Sequence, residues 1–99
     1  MKRKQTRHTS LTDKAAKVCR QLRRAGFHPH PGPISARGGH GGALRIKISA
    51  EPNRIRLRIA GSGVQEVFLY GPIVLNDLIR TVQDQFGKRS IESVIRSEM

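Results

Sequence analysis

The amino-acid sequence predicts an α+β fold, in which a helix is followed by a three-stranded antiparallel meander and a second helix. Three observations support this order. Apolar residues recur at helical spacing over 11–22 and again over 74–86. Apolar and basic residues alternate over 43–49 and 54–60, which is typical of strands that are buried on one face. The connectors AEPN and GSG between successive strands are short enough for hairpins.

Length and charge restrict the class of protein. The chain has 99 residues, the size of one small domain. Its 19 Lys and Arg stand against 7 Asp and Glu, which gives a formal net charge of +12. All but four of these bases lie within residues 1–60. Such an excess predicts a polyanionic partner, and nucleic acid is the commonest one.

Cysteine usage and hydropathy indicate the compartment. Cys19 is the single cysteine, which excludes an internal disulfide and fits a reducing environment. The sequence contains no apolar run as long as a membrane span, and no apolar segment follows the basic N-terminus as in a secretory signal. We therefore expect a cytoplasmic protein, nucleoid-associated if bacterial, that has no membrane partner.

Composition divides the chain into an arm and one domain. Residues 1–10 contain a single apolar residue, so we expect a disordered basic arm. Residues 11–99 are then a single nucleic-acid-binding domain. Within this domain the segment 28–42 carries three prolines and five glycines, which predicts a flexible loop.

The first helix is expected to begin near Ser10 or Thr12 and to end before Gly26, because glycine is favoured just past a helix C-terminus. Phe27 is expected to fold back onto the core. Cys19 lies on the apolar stripe of this helix, so we interpret it as a small core residue rather than a catalytic one.

The second helix is expected to begin at Pro72 and to end at Gly87, because proline suits a first helical turn. The segment SIESVIRSEM (90–99) can form a short final helix. Its apolar residues are Ile91, Val94 and Ile95. They leave two alternatives open, a dimer surface or the last part of the core.

The two connectors predict the register of the meander. If GSG is a three-residue loop with Gly63 in the left-handed conformation, Ala60 pairs with Val64. If AEPN is a four-residue loop, Ile48 pairs with Ile55. Both hairpins then agree on which face of the strand between them is apolar. The other face is basic, although directly opposed like charges destabilise a sheet.

We interpret the basic face as a nucleic-acid-binding surface. A narrow three-stranded ribbon can enter the major groove of duplex DNA, arginine forks match phosphate oxygens, and aromatic rings can stack on unpaired bases. Duplex DNA is therefore the expected partner, more than RNA. The expected contacts are Arg45, Lys47, Arg54, Arg56, Arg58, Phe68 and Tyr70 from the sheet, Lys2, Arg3, Lys4 and Arg7 from the arm, and Arg37 from the loop.

The order helix, three strands, helix over residues 11–86 is similar to the layout of the double-stranded-RNA-binding domain. A basic three-stranded sheet backed by a helix also resembles the arm-site-binding domains of tyrosine integrases, which lay such a sheet in the major groove. These resemblances imply nucleic-acid binding, and we expect no catalysis. A regulator or recombination accessory factor, chromosomal or encoded on a mobile element, is the expected role.

An enzyme is the first alternative. The segments AGF (25–27) and GGH (38–40) look similar to motifs of small mRNA-interferase toxins. That resemblance implies RNA cleavage with His40 as the acid–base residue. The same region holds His28 and His30, but no carboxylate or second cysteine completes a metal site, so we expect no metal and no cofactor. The second alternative is a binder of structured RNA or of an acidic protein.

Overall fold

A computed structural model describes residues 11–35, 43–61 and 63–96 of the chain. Two helices and one five-stranded mixed sheet make up this part, so the α+β class is confirmed. The elements are helix α1 (Asp13–Arg24), strands β1 (Pro29–Ser35), β2 (Arg45–Glu51), β3 (Arg54–Ala60) and β4 (Val64–Tyr70), helix α2 (Leu75–Phe86), a 3₁₀ turn (Lys88–Ser90) and strand β5 (Ile91–Arg96).

The strands lie in the order β1-β4-β3-β2-β5. The predicted meander is present as β2, β3 and β4, but the prediction of three strands is wrong because β1 and β5 extend the sheet at its two edges. Neighbouring strands are antiparallel except β2 and β5, which are parallel. The described part of the chain therefore has a wider sheet than the double-stranded-RNA-binding layout that the sequence resembles.

The helices pack against one face of the sheet and enclose an aliphatic core. Four residues of α1 and two of α2 are buried against the inward side chains of β2, β3 and β4. Phe27 packs against this cluster from its margin, as expected. The fully enclosed apolar side chains are Ala15, Val18, Cys19, Leu22, Ile46, Ile48, Leu57, Ile59, Val67, Leu69, Leu78 and Val82.

Helix α1 has side-chain and backbone caps at its ends. The Thr12 hydroxyl accepts a hydrogen bond from the Ala15 N–H at 3.2 Å, so Thr12, not Ser10, is the N-cap. At the other end Gly26 has a φ of 99°, and the Phe27 N–H donates to the Leu22 carbonyl at 3.0 Å. This pattern is a Schellman motif, which ends the helix and directs the next residues toward the sheet.

The predicted loop over 28–42 is wrong in its first half, because Pro29–Ser35 forms strand β1 beside β4. Proline is tolerated there because β1 is an edge strand and needs donors on one side only. The pairing shifts between Pro31 and Ile34, where Gly32 lies under the Phe68 ring. The remainder of the predicted loop, 36–42, lies outside the described residues.

The predicted final helix is also wrong. After the 3₁₀ turn, Ile91–Arg96 forms β5, parallel to β2. Ile91 and Val94 pack against the core, whereas Ile95 is half exposed. The spacing of these residues fits one helical turn as well as a short strand, and the available edge of β2 favours the strand.

The register of the β3–β4 hairpin is confirmed, with Ala60 opposite Val64. However, the positive-φ glycines of the described residues are Gly26, Gly71 and Gly87, so the expected left-handed Gly63 is wrong.

The register of the β2–β3 hairpin differs from the prediction by two residues. Ile48 pairs with Leu57 rather than Ile55, because the turn consists of Pro52 and Asn53 alone. A shift of two leaves every side chain on its predicted face.

None of the helices in the described ranges is long and apolar enough to cross a membrane.

Candidate nucleic-acid interface

The side of the sheet opposite the helices is not covered by any described element, and we call it the open face. Register places its side chains in rows that run across the strands. One row contains Lys47, Arg58 and Glu66; the next contains Ser49, Arg56, Phe68 and His30; the third contains Glu51, Arg54 and Tyr70. With Arg45 at the end, five bases and two acids give this face a formal charge of +3.

Glu51 organises the end of the open face near the β2–β3 turn. Its Oε1 accepts a hydrogen bond from Arg54 Nε at 2.7 Å, and its Oε2 accepts one from Arg56 Nη2. The bond from Arg54 is the main reason why the pKa of Glu51 lies below its ordinary value. Hydrogen bonds with Glu51 and, next, with Tyr70 raise the pKa of Arg54. Both groups are therefore charged at neutral pH.

Arg56 lies between two carboxylates. Besides its bond to Glu51, its Nη1 lies 3.5 Å from Glu66 Oε2. The observed register produces this arrangement, because it places Ser49 rather than Lys47 opposite Arg56. The two carboxylates beside Arg56 thus offset the repulsion among the arginines of β3.

Aromatic side chains occupy the β4 and β1 side of the open face. The guanidinium carbon of Arg54 lies 4.2 Å from the centroid of the Phe68 ring, a cation–π contact. The Tyr70 ring lies 5.2 Å from the His30 ring in an edge-on arrangement and 6.3 Å from Phe68. Tyr70 is 51% exposed, so a flat ligand has access to it.

A shallow cup of about 150 Å³ opens on the basic half of this face. Its lining residues are Lys47, Ser49, Arg56, Arg58 and Glu66. Within the described residues, Arg45, Lys47 and Arg58 make no ion pair, in contrast to Arg54 and Arg56. The cup therefore combines two unneutralised cations and a hydroxyl with the Arg56–Glu66 ion pair, and the cations and the hydroxyl suit an anionic oxygen cluster such as a phosphate.

The structure brings together seven of the predicted site residues. These are Arg45, Lys47, Arg54, Arg56, Arg58, Phe68 and Tyr70. The other predicted contacts and the alternative catalytic residue lie outside the described residues: Lys2, Arg3, Lys4, Arg7, Arg37 and His40.

Three open-face residues were missed by the sequence interpretation. The prolines predict a loop for His30, although the alternation of H-P-H with proline is compatible with an edge strand. The sequence pattern predicts Ser49 at the end of a strand and Glu51 in a loop. The position of Glu51 three residues before Arg54 is the signal in the sequence that this acid can pair with the arginine on the open face.

A second group of bases lies on the far side of the molecule. Helix α1 exposes Lys17, Arg20, Arg23 and Arg24, and the sheet separates these from the open face. Lys14 of the same helix instead lays its aliphatic stem against Gly61. The described ranges hold no group of three or more His, Cys, Asp or Glu side chains that is suited to a metal ion.

Comparison of the chain with protein-family models, with curated proteins and with solved structures finds no match. The class of protein is therefore defined by its own geometry: an α+β domain whose mixed sheet has helices on one face and a basic, partly aromatic open face on the other.

Proposed function

We propose that this protein binds nucleic acid across the open face. The observation that carries the proposal is that one uncovered sheet surface holds unneutralised cations at one end and exposed aromatic rings at the other. Phosphates supply the charge that the cations require, and bases supply the flat faces that the rings require.

The cationic half suits phosphate groups. Lys47 and Arg58 are directly opposed across β2 and β3 and have no carboxylate partner in the described part of the chain. Two such like charges destabilise the free protein slightly, and a bound phosphate removes that repulsion. The Ser49 hydroxyl, in the same cup, can donate to a phosphate oxygen.

The width of the sheet favours an unpaired strand over a duplex. Five strands at a spacing of about 4.8 Å place the outer strands roughly 19 Å apart, whereas the DNA major groove is about 12 Å wide. A single strand can instead lie along the face, with bases against Tyr70 and His30 and phosphates near Lys47 and Arg58.

Duplex DNA is the second candidate, and a specific observation favours it. Arg45, Lys47 and Arg58 form a compact group at one end of the face, away from the aromatic rings. These three could contact one phosphate backbone without any base leaving the stack. RNA cleavage through His40 would rest on a residue outside the described ranges.

The test is a fluorescence-anisotropy titration of the full chain with four oligonucleotides of equal length. They are single-stranded DNA, single-stranded RNA, duplex DNA and a hairpin RNA. We expect tightest binding to single strands and a steep fall of affinity with salt, because log affinity falls by about 0.7 per neutralised phosphate for each unit of log salt concentration. A salt-independent affinity would contradict nucleic-acid binding, and a clear preference for duplex DNA would select the second candidate.

A matched pair of variants locates the surface. Arg58→Gln removes one charge from the open face, and Arg20→Gln removes one from the exposed side of α1. We expect the first variant to weaken binding and to reduce the salt slope by about one unit, while the second leaves both nearly unchanged. Equal effects would show attraction to overall charge instead of contact with the open face.

A further inference from the structure

The two edges of the sheet differ in whether a further strand can pair with them. The outer edge of β1 carries Pro29, Pro31 and Pro33. Prolines protect an edge, because they remove donors. Strand β5 contains no proline, pairs with β2 on one side with one register shift between Ile91 and Ser93, and has no partner on its outer side within the described residues. Only the β5 edge is therefore suited to accept another strand.

The sequence of β5 is complementary to itself in the antiparallel direction. Ile91–Arg96 reads IESVIR, with the acid Glu92 near one end and the base Arg96 at the other. If a two-fold axis passes beside Val94, Glu92 of each copy lies opposite Arg96 of the other. Opposite charges that face each other across antiparallel strands stabilise the pair, and symmetry provides the contact twice.

The alternative registers lose this match. Directly opposed residues share a face, so the next symmetric registers are displaced by two. One centres on Ser93 and sets Glu92 opposite Val94; the other centres on Ile95 and sets Arg96 opposite Val94. Each sets one of the two charged side chains opposite an apolar valine and brings no opposite charges together. Both Glu92 and Arg96 are exposed in the single chain, so neither has to leave a buried partner in order to pair.

Ile95 gives the same register an apolar contact. It is 50% exposed on the open-face side, beside Ser49 of β2. With the axis at Val94, Ile95 lies directly opposite Ser93 of the second copy and diagonal to the second Ile95. Diagonal neighbours across a sheet are about 7–8 Å apart, within reach of two isoleucine side chains.

We infer that the protein forms a two-fold symmetric dimer in which the β5 strands of two copies pair antiparallel, with Glu92 of each copy against Arg96 of the other. The product is a continuous ten-stranded sheet. Its axis is perpendicular to the sheet, so the open faces of both copies lie on the same side. If the proposed function holds, the dimer presents two equivalent binding surfaces, separated by the uncharged side chains of Ser93 and Ile95.

Sedimentation velocity of the full chain over a range of concentrations tests the dimer. Glu92→Arg and Arg96→Glu each replace two attractive contacts with two repulsive ones, and each is expected to raise the dimer dissociation constant roughly ten- to hundredfold. The double variant Glu92→Arg/Arg96→Glu restores both attractions and is expected to dimerise like the parent. Asp84→Arg is the matched control, because it makes the same charge change at an exposed position of α2.

Amide hydrogen exchange provides a second measurement that does not depend on the variants. Protection of residues 91–96 is expected to rise with protein concentration, since pairing covers the outer edge of β5. A monomer at every soluble concentration would overturn the inference. So would a dimer that neither single reversal weakens, because that dimer would use another surface. Neither result depends on whether nucleic acid binds.

Discussion

The Glu51 carboxylate accepts a hydrogen bond from Arg54 Nε at 2.7 Å, across the two-residue turn that joins β2 and β3. This contact holds the guanidinium of Arg54 over the Phe68 ring, 4.2 Å from its centroid. The acid therefore orients a cation and at the same time neutralises it. Binding of a polyanion must compete with Glu51 for Arg54 and Arg56, whereas Lys47 and Arg58 are available without competition.

Glu51→Gln is expected to strengthen nucleic-acid binding. The amide keeps the size of the side chain but removes the charge that competes with phosphate for Arg54 and Arg56. For each additional phosphate that is neutralised, the salt dependence should become steeper by about 0.7–0.9. Anisotropy titrations at several salt concentrations measure both quantities. Asp84→Asn, an exposed acid on α2, is the control for the change in net charge. Weaker binding by Glu51→Gln would mean that the ordering of Arg54 matters more than its neutralisation.

The lowered pKa of Glu51 predicts acid-dependent stability. Because the folded pKa lies below the ordinary value of 4.5, the stabilisation by this carboxylate is fully present above that value and is lost as the pH falls through the folded pKa. We expect the difference in melting temperature between the parent and Glu51→Gln to be constant near neutral pH and to shrink below about 4.5. Thermal unfolding followed by circular dichroism at a series of pH values measures it. A difference that does not change with pH would show that the arginine partners do not favour the charged form of Glu51 in the folded protein.

Gly32→Ala is expected to disturb the packing of β1 against β4. A Cβ at this position would lie 2.5 Å from Phe68 Cε2 and 3.0 Å from the Glu66 carbonyl oxygen. The carbonyl is backbone and cannot move away cheaply, so we expect a loss of about 1–3 kcal/mol in the free energy of unfolding. Urea unfolding measures the loss. Gly63→Ala is the matched control, since its nearest contact would be the Ser35 oxygen at an ordinary 3.9 Å. Equal stability of both variants would contradict the close packing of Phe68 on Gly32.

Periodicity was sufficient to predict α1, α2 and the apolar side of the meander, because buried residues there recur without interruption. The β2–β3 register could not be obtained in the same way. A loop of four residues and a turn of two place the same side chains on the same face, and contacts of Glu51 with Arg54 and Arg56 distinguish them.

The two outer strands were missed for opposite reasons. Pro29 and Pro31 are strong loop signals, yet an edge strand accepts them because its outer side needs no donors. The six residues of β5 fit either a helical turn or a strand, and the parallel pairing with β2 that decides between them is not visible in a local pattern.

The role of Gln65 is not visible in a local pattern either. This buried amide accepts a hydrogen bond from the Thr12 N–H at 2.9 Å and donates one to the Gly32 carbonyl at 3.2 Å, which connects α1 and β1 to β4.

A substitution of Tyr70 distinguishes most sharply between binding of an unpaired strand and binding of a duplex. Its ring is half exposed beside His30, so a base that leaves its stack can lie against it. Tyr70→Leu keeps an apolar side chain at the position but removes the flat surface. We expect a loss of about 1–3 kcal/mol in the binding free energy of single-stranded oligonucleotides, the range of one base–aromatic stack, and no comparable loss for duplex DNA.

Tyr70→Phe is the matched control, because it retains the ring and removes only the hydroxyl that interacts with Arg54. Parallel titrations of the parent and both variants with a single strand and with its duplex measure the effect. If Tyr70→Leu weakens both ligands equally, the ring supports the position of Arg54 and does not stack on a base. If it weakens neither, the ligand occupies only the cationic half around Lys47 and Arg58, which is the arrangement expected for a duplex backbone.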